Sequence, residues 1–167
     1  QRDEGAGAGR PMKELSPREV VAIVAAAMPS ECRERVVIVG SLAAGYHLLG
    51  ERHDAQVRTK DVDCLLLPRV AAVRTGRAVA ETLLRAGWRP RVEGSHSRPG
   101  DAETPEDALP AVRLHPPHSA GWFLELLAEH AADDEADRRW MRLRLEGGHF
   151  GLPSYRYLDV ASHEAPV

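Results

Sequence analysis

Two apolar runs with unusual punctuation constrain this chain most. Val36-Val37-Ile38-Val39 stops at Gly40-Ser41, and a second run, Val62 to Leu67, opens with the triplet Asp61-Val62-Asp63. Unbroken aliphatic runs favour strands covered on both faces. The Gly-Ser pair between the first run and Leu42–Leu49 reads as a turn into a short helix. Along a strand, side chains alternate between faces, so Asp61 and Asp63 project together while Val62 points away. Two carboxylates so placed repel each other unless a cation sits between them, and carboxylate with water suits Mg²⁺. Gly40 and Ser41, at a helix N-terminus, offer free backbone N–H groups and the positive end of the helix dipole, which favour a phosphate. Ser41 is expected to be either such a phosphate contact or simply the helix N-cap, and both roles can hold at once. A phosphate cradle beside a divalent-cation site is the minimum equipment for handling a nucleoside triphosphate. D-x-D alone is weak evidence, since charged pairs often just open a strand.

From Val36 to Leu67 this order of strand, Gly-Ser, short helix and D-x-D strand resembles the nucleotidyltransferases of the DNA polymerase β superfamily. The run Arg58-Thr59-Lys60-Asp61-Val62-Asp63 is most similar to the abortive-infection type nucleotidyltransferase toxins and their stand-alone relatives, which often carry Thr-x-Asp-x-Asp. The resemblance implies an α/β (α+β) fold of the nucleotidyltransferase type, a mixed β-sheet backed by helices. It also implies a Mg²⁺ or Mn²⁺ cofactor, an NTP such as ATP as substrate, and a third carboxylate on a later strand. Glu125, in Gly121-Trp122-Phe123-Leu124-Glu125-Leu126-Leu127, is the best candidate, although the family usually has Asp there. An acid inside so apolar a run must be paired, bound to metal, or turned to solvent at a sheet edge, because a lone buried carboxylate is too costly. The similarity extends to Leu127, about half the chain. One departure is the nineteen residues, 42 to 60, between Ser41 and Asp61, which make Glu51–Gln56 an expected inserted loop.

Under this resemblance Asp61, Asp63 and Glu125 hold the metal, with two ions roughly 4 Å apart clamping the α-phosphate. Gly40 and Ser41 take the departing phosphates, and Lys60 and Arg58 reach the triphosphate unless they are plain solvated loop charges. The acceptor stays open among RNA ends, a protein hydroxyl and a small molecule, and toxin-type members imply an antitoxin or other protein partner. The toxin type usually has a helical C-terminal half with a triphosphate-binding lysine. Here the lysines are Lys13 and Lys60, and 161–167 reads as a tail or the start of such a region. Two alternatives stand beside the enzyme: a catalytically silent nucleotide- or partner-binding module of the same fold, and a plain α/β domain with accidental acids.

Elsewhere, residues 1–10 are a Gly/Ala-rich tail preceding a single domain over 11–160. Ser16-Pro17-Arg18-Glu19 is a capping box with proline at the first helical position, opening a helix that continues over Val20–Met28. Val70–Arg85 has helical spacing and stops at Gly87. Trp88–Val92, Ala111–His115 and Trp122–Leu127 read as strands, and Gly94–Pro110 as a long loop. Asp133–Asp137 reads as a solvated acidic stretch. Arg139–Glu146 alternates as a half-buried strand, Gly147-Gly148 suggests a hairpin into Phe150–Leu152, and Tyr155–Leu158 starts a further short element. His115 and His118 flank a Pro-Pro turn without an evident third metal ligand. Two basic groups, Arg85, Arg89, Arg91 and Arg98, then Arg138, Arg139, Arg142 and Arg144, could attract RNA, though the net charge of −3 argues against a basic surface overall.

An apolar content of 43% with only 5% aromatics implies an aliphatic core. No run approaches the roughly 20 apolar residues of a membrane span, and no secretory pattern appears. Cys32 and Cys64 lack zinc spacing, and together these features lead to an expectation of a reducing, cytoplasmic setting. Cys64 follows Asp63 directly, so it points into the core face.

Overall fold

Strand and helix boundaries follow local chemistry closely. The computed structural model describes residues 14–49, 56–91, 98–118, 121–131 and 138–158. Ser16 caps α1 (Pro17–Ala27) by accepting the Glu19 N–H, with Pro17 in the first turn. The helix buries Val20 and Val24 and ends one residue before the expected Met28. In α3 (Ala72–Arg85) the buried residues are Ala72, Thr75, Gly76, Val79, Ala80 and Leu83, an i, i+3, i+4, i+7 stripe that fits one face of a helix. A short 3₁₀ turn, Arg69–Ala71, occupies the start of the expected helix. At its far end Gly87, with φ +87°, donates to the Leu84 carbonyl and Trp88 donates to Leu83, a Schellman stop.

The central sheet has five strands: β2 (Val36–Val39), β4 (Asp61–Leu66), β5 (Arg89–Pro90), β6 (Arg113–His115) and β7 (Phe123–Ala128). Their spatial order is β2-β4-β7-β6-β5, with β4 and β7 parallel and every other neighbour antiparallel. The class is therefore α+β with a mixed sheet and helices against it. Outside it lie two pairs: β1 (Glu14–Leu15) with β3 (Val57–Arg58), and β8 (Arg138–Leu145) with β9 (Gly148–Tyr155). The helix α2 (Gly40–Leu49) follows β2 without a gap.

The sheet's two faces differ. Val62, Cys64, Leu66, Leu114, Leu124 and Leu126 point to one side and share a core with Val20 and Val24 of α1 and Val79 and Leu83 of α3. Each such leucine or valine contributes about 1.5–3 kcal/mol on burial. The other face is split. At one end Leu65, Leu127 and Leu158 form a small second core with Val37, Val39 and Tyr155. At the other end that face carries Asp61, Asp63, Glu125 and Arg113.

Several sequence expectations change at their edges. Of the expected Trp88–Val92 strand, Arg89 and Pro90 form β5 among the described residues, with Arg91 adding a backbone hydrogen bond to the Arg113 carbonyl, and Ala111 instead bridges Gly151 of β9. The loop ending at Pro110 is anchored within its described part: Leu109 is fully buried, and Gly100 pairs with His149 through two backbone hydrogen bonds. The β8–β9 hairpin forms as expected but as its own ribbon, because its backbone meets the rest of the fold through 100 and 110–112 rather than a sheet strand. Tyr155 closes β9, and the short element that follows is a 3₁₀ turn over Arg156–Leu158. The expected tails at 1–10 and 161–167, the acidic stretch 133–137 and most of the 51–56 insertion lie outside the described residues.

Candidate functional site

The antiparallel pairing of β2 with β4 sets Val39 opposite Asp63, and the parallel pairing of β4 with β7 sets Glu125 on Asp63's other side. Chain residues far apart in sequence are thus delivered to one spot by register alone. One oxygen from each of Asp61, Asp63 and Glu125 lies within 4.8 Å of the others. Among the described residues, this is the grouping of acids, histidines or cysteines close enough to share an ion. The donor set is all carboxylate oxygen, which fits Mg²⁺ or Mn²⁺ rather than a softer metal.

Each acid is held by its surroundings. Thr59, 5% exposed, donates its hydroxyl to Asp61 Oδ1 at 2.8 Å, fixing that carboxylate just before it enters β4. Asp63 sits against the Gly-Ser turn. Gly40 has φ +78°, and a Cβ there would stand 2.8 Å from Asp63 Oδ2. Only glycine takes that backbone conformation cheaply and lets the main chain approach so closely. Burial, then the charges of Asp61 and Glu125, push the Asp63 carboxyl up to about 6, against the pull of Arg113. Such crowding marks a spot short of positive charge.

Glu125 is 5% exposed on the middle strand of the sheet, so the alternative in which it faces solvent at a sheet edge does not hold. The sheet's order, which no local pattern encodes, is the reason. Its charge is met by Arg113, directly opposite on β6: Nε donates to Oε2 at 2.9 Å and a terminal nitrogen to Oε1 at 3.2 Å. Burial alone would lower the Arg113 pKa, but the hydrogen bonds and charge of Glu125 outweigh it and raise it. Phe123, opposite Asp61, underlies this corner, with the Arg91 guanidinium 4.1 Å and the Arg113 guanidinium 5.6 Å from its ring centre. Arg113 is the site residue that sequence reasoning missed.

The remaining candidates are placed as follows. Ser41 is exposed in the first turn of α2. Lys60 is exposed, and its carbonyl accepts the Phe123 N–H at 2.9 Å, tying β7 to the entry of β4. Arg58 is exposed on β3, paired with Glu14 in β1. His115 contacts the Trp122 carbonyl through Nδ1 at 2.8 Å, so it carries its proton there, and His118 is exposed. The pair does not join a metal-sized cluster among the described residues. In the second basic group, Arg142 is spent on structure, donating to the Asp101 and Thr104 carbonyls and fastening the 101–104 loop to β8. A groove of about 720 Å³, lined by Arg77, Glu81, Asp101, Arg144 and His149 among others, shares no residue with the acidic cluster. Cys64 is buried on the opposite face, as its place after Asp63 requires, and burial pushes its thiol pKa up.

No helix among the described residues is long and apolar enough to cross a membrane. No family pattern, characterised protein or solved structure matches the chain.

Proposed function

We propose that this chain is a Mg²⁺-dependent nucleotidyltransferase, built on the nucleotidyltransferase fold of the polymerase β superfamily, that moves an NMP from an NTP to an acceptor hydroxyl. The observation that carries this reading is the contact of Gly40 with Asp63, which sets the N-terminus of α2 against the acidic cluster. An anion-binding turn and a cation-binding cluster that touch are what a metal–triphosphate complex requires. Asp61 and Asp63 hold the cofactor, Mg²⁺ or Mn²⁺, and Glu125 stands beside them. The bound metal supplies charge neutralisation at the phosphates.

The chain's own residues do the positioning. Thr59 keeps Asp61 aimed at the site. The N–H groups at Gly40 and Ser41 hold the leaving phosphates, and Lys60 and Arg58, exposed on the approach to β4, are the proposed further triphosphate contacts. Arg91, stacked on Phe123 at the border of the cluster, supports an anionic acceptor such as RNA. The reaction is chiefly a matter of alignment and electrostatics, as for phosphoryl transfer generally.

One observation favours a second reading, a catalytically silent nucleotide-binding or partner-binding module, for instance one that meets an antitoxin: both oxygens of Glu125 are already engaged by Arg113. The test has two stages. Thermal unfolding is followed with each ribonucleoside triphosphate, with and without Mg²⁺, for wild type and Asp61→Asn. A ligand at about 100 times its Kd stabilises the fold by roughly 2.7 kcal/mol. A Mg²⁺-dependent shift absent in the mutant supports the site; no shift with any nucleotide sinks the enzyme and the nucleotide-binding module and leaves the partner-binding one. Transfer of α-phosphate label to RNA or protein then separates enzyme from module.

A further inference from the structure

The pairing of Arg113 with Glu125 bears on how many carboxylates are available to a cation. A guanidinium placed bidentately takes the two lone pairs that face it across the carboxylate and cancels its charge. The cross-strand register fixes this arrangement: Arg113 lies directly opposite Glu125, and the next pair, Leu114 with Leu124, is buried on the other face. The guanidinium is further confined by the Phe123 ring 5.6 Å away, itself covered by Arg91. A divalent cation drawn to Glu125 in this state would meet a fixed positive charge at the same carboxylate. Asp61 and Asp63 have no such partner among the hydrogen bonds described: Asp61 has the Thr59 hydroxyl, and Asp63 has the Gly40 backbone against it. Exposure is also asymmetric, with the Arg113 side chain 42% exposed and that of Glu125 6%. The guanidinium can therefore leave for solvent or for an anionic group, whereas the carboxylate stays in the site.

We propose that Arg113 is a positioning residue that reserves Glu125, so that the resting centre binds a divalent cation through Asp61 and Asp63 and recruits Glu125 only when the guanidinium is released. This deepens, and rests on, the metal-site reading above. It also reconciles the two functions considered there: the closed pair describes a resting centre, and its opening completes the set of three carboxylates.

The experiment is a Mn²⁺ titration of the full chain, with free ion followed by electron paramagnetic resonance, for wild type, Glu125→Gln, Arg113→Gln and the double variant. Asp61→Asn serves as a control, and circular dichroism checks folding. Glu125→Gln removes the same charge in both backgrounds, but removes a ligand only where Arg113 is gone. Its penalty on Mn²⁺ affinity is therefore expected to be about tenfold or more larger in the Arg113→Gln background, a coupling well within the range that contacting residues show. Equal penalties in the two backgrounds, or a larger one in wild type, overturn the reservation by Arg113 while leaving the metal site standing. Penalties that are negligible in both overturn any ligand role for Glu125 and the proposal with it. Failure of both wild type and Arg113→Gln to bind Mn²⁺ overturns the metal site itself. Should Arg113→Gln not fold, Arg113→Lys replaces it in the same cycle: it keeps the charge and loses the bidentate geometry, and an enlarged Glu125→Gln penalty is again expected and an unchanged one again contrary.

Discussion

Replacing Asp63 by asparagine should make the metal-free protein more stable at neutral pH, although the residue sits at the centre of the proposed site. Native Asp63 has its pKa raised from the ordinary 3.8 to about 6, by burial first and by Asp61 and Glu125 next. The sign follows from linkage. The folded state holds this proton more tightly than the unfolded chain, so the group's stabilising contribution is complete below about pH 4 and lost as pH rises through about 6. A shift of about two units corresponds to about 3 kcal/mol at full strength. Asp63 is only half-buried, and solvent screening brings the expectation to about 1–2 kcal/mol. Asparagine carries no charge at any pH. The difference between variant and wild type should therefore open between pH 4 and 6 and stay level above it. For a domain of this size it should appear as a rise of roughly 3–6 °C in Tm at pH 8. Urea unfolding in EDTA, at half-unit steps from pH 4 to 8, reads it directly. Saturating Mg²⁺ should reverse the order, raising wild type and leaving the variant unmoved. A variant less stable than wild type at pH 8 without metal, or a gain constant across the whole range, would refute this electrostatic account of the cluster.

Three further outcomes follow from the same geometry. Gly40→Ala combines a left-handed backbone, costing about 1–2 kcal/mol, with a methyl pressed on Asp63; the urea midpoint should fall and the Mg²⁺-dependent nucleotide shift should vanish. Thr59→Val removes the hydrogen bond to Asp61 at similar volume, so stability should drop by about 1 kcal/mol and Mn²⁺ affinity should weaken, both readable in one titration series. Cys64 is fully buried with its thiol pKa raised, so a thiol reagent should leave it unmodified at pH 8 until urea unfolds the chain; rapid native labelling would contradict its placement.

Much of this was legible because it is local. The stripe from Ala72 to Leu83 repeats at helical spacing, and the capping box at Ser16 and the stop at Gly87 mark helix ends with chemistry that acts over a few residues. The shared orientation of Asp61 and Asp63 follows from the period of a strand. What was not legible depends on pairing between distant segments. The place of Glu125 on an interior strand requires β7 to lie between β4 and β6, and nothing within Phe123–Ala128 states its neighbours. Arg113 was nearer to view. β6 and β7 run antiparallel with Arg113 opposite Glu125, a register that follows from the sequence only once both strands and the length of their connection are assigned. The two-residue pairing of β1 with β3 is too short for any periodicity to signal.

The parallel register between β4 and β7 has a consequence for how the chain folds. Asp63 and Glu125 are brought together by the only parallel pairing in the described sheet, across a connection that includes α3, β5 and β6. Contacts of such separation form late, because loop closure must be met before they return any free energy. A nascent chain that has released β2, α2 and β4 has the Gly40-Ser41 turn and both aspartates but not the strand that carries Glu125. The closeness of Asp63 to Glu125 is thus a property of the finished topology, and any probe of that closeness reports whether the last central strand has docked.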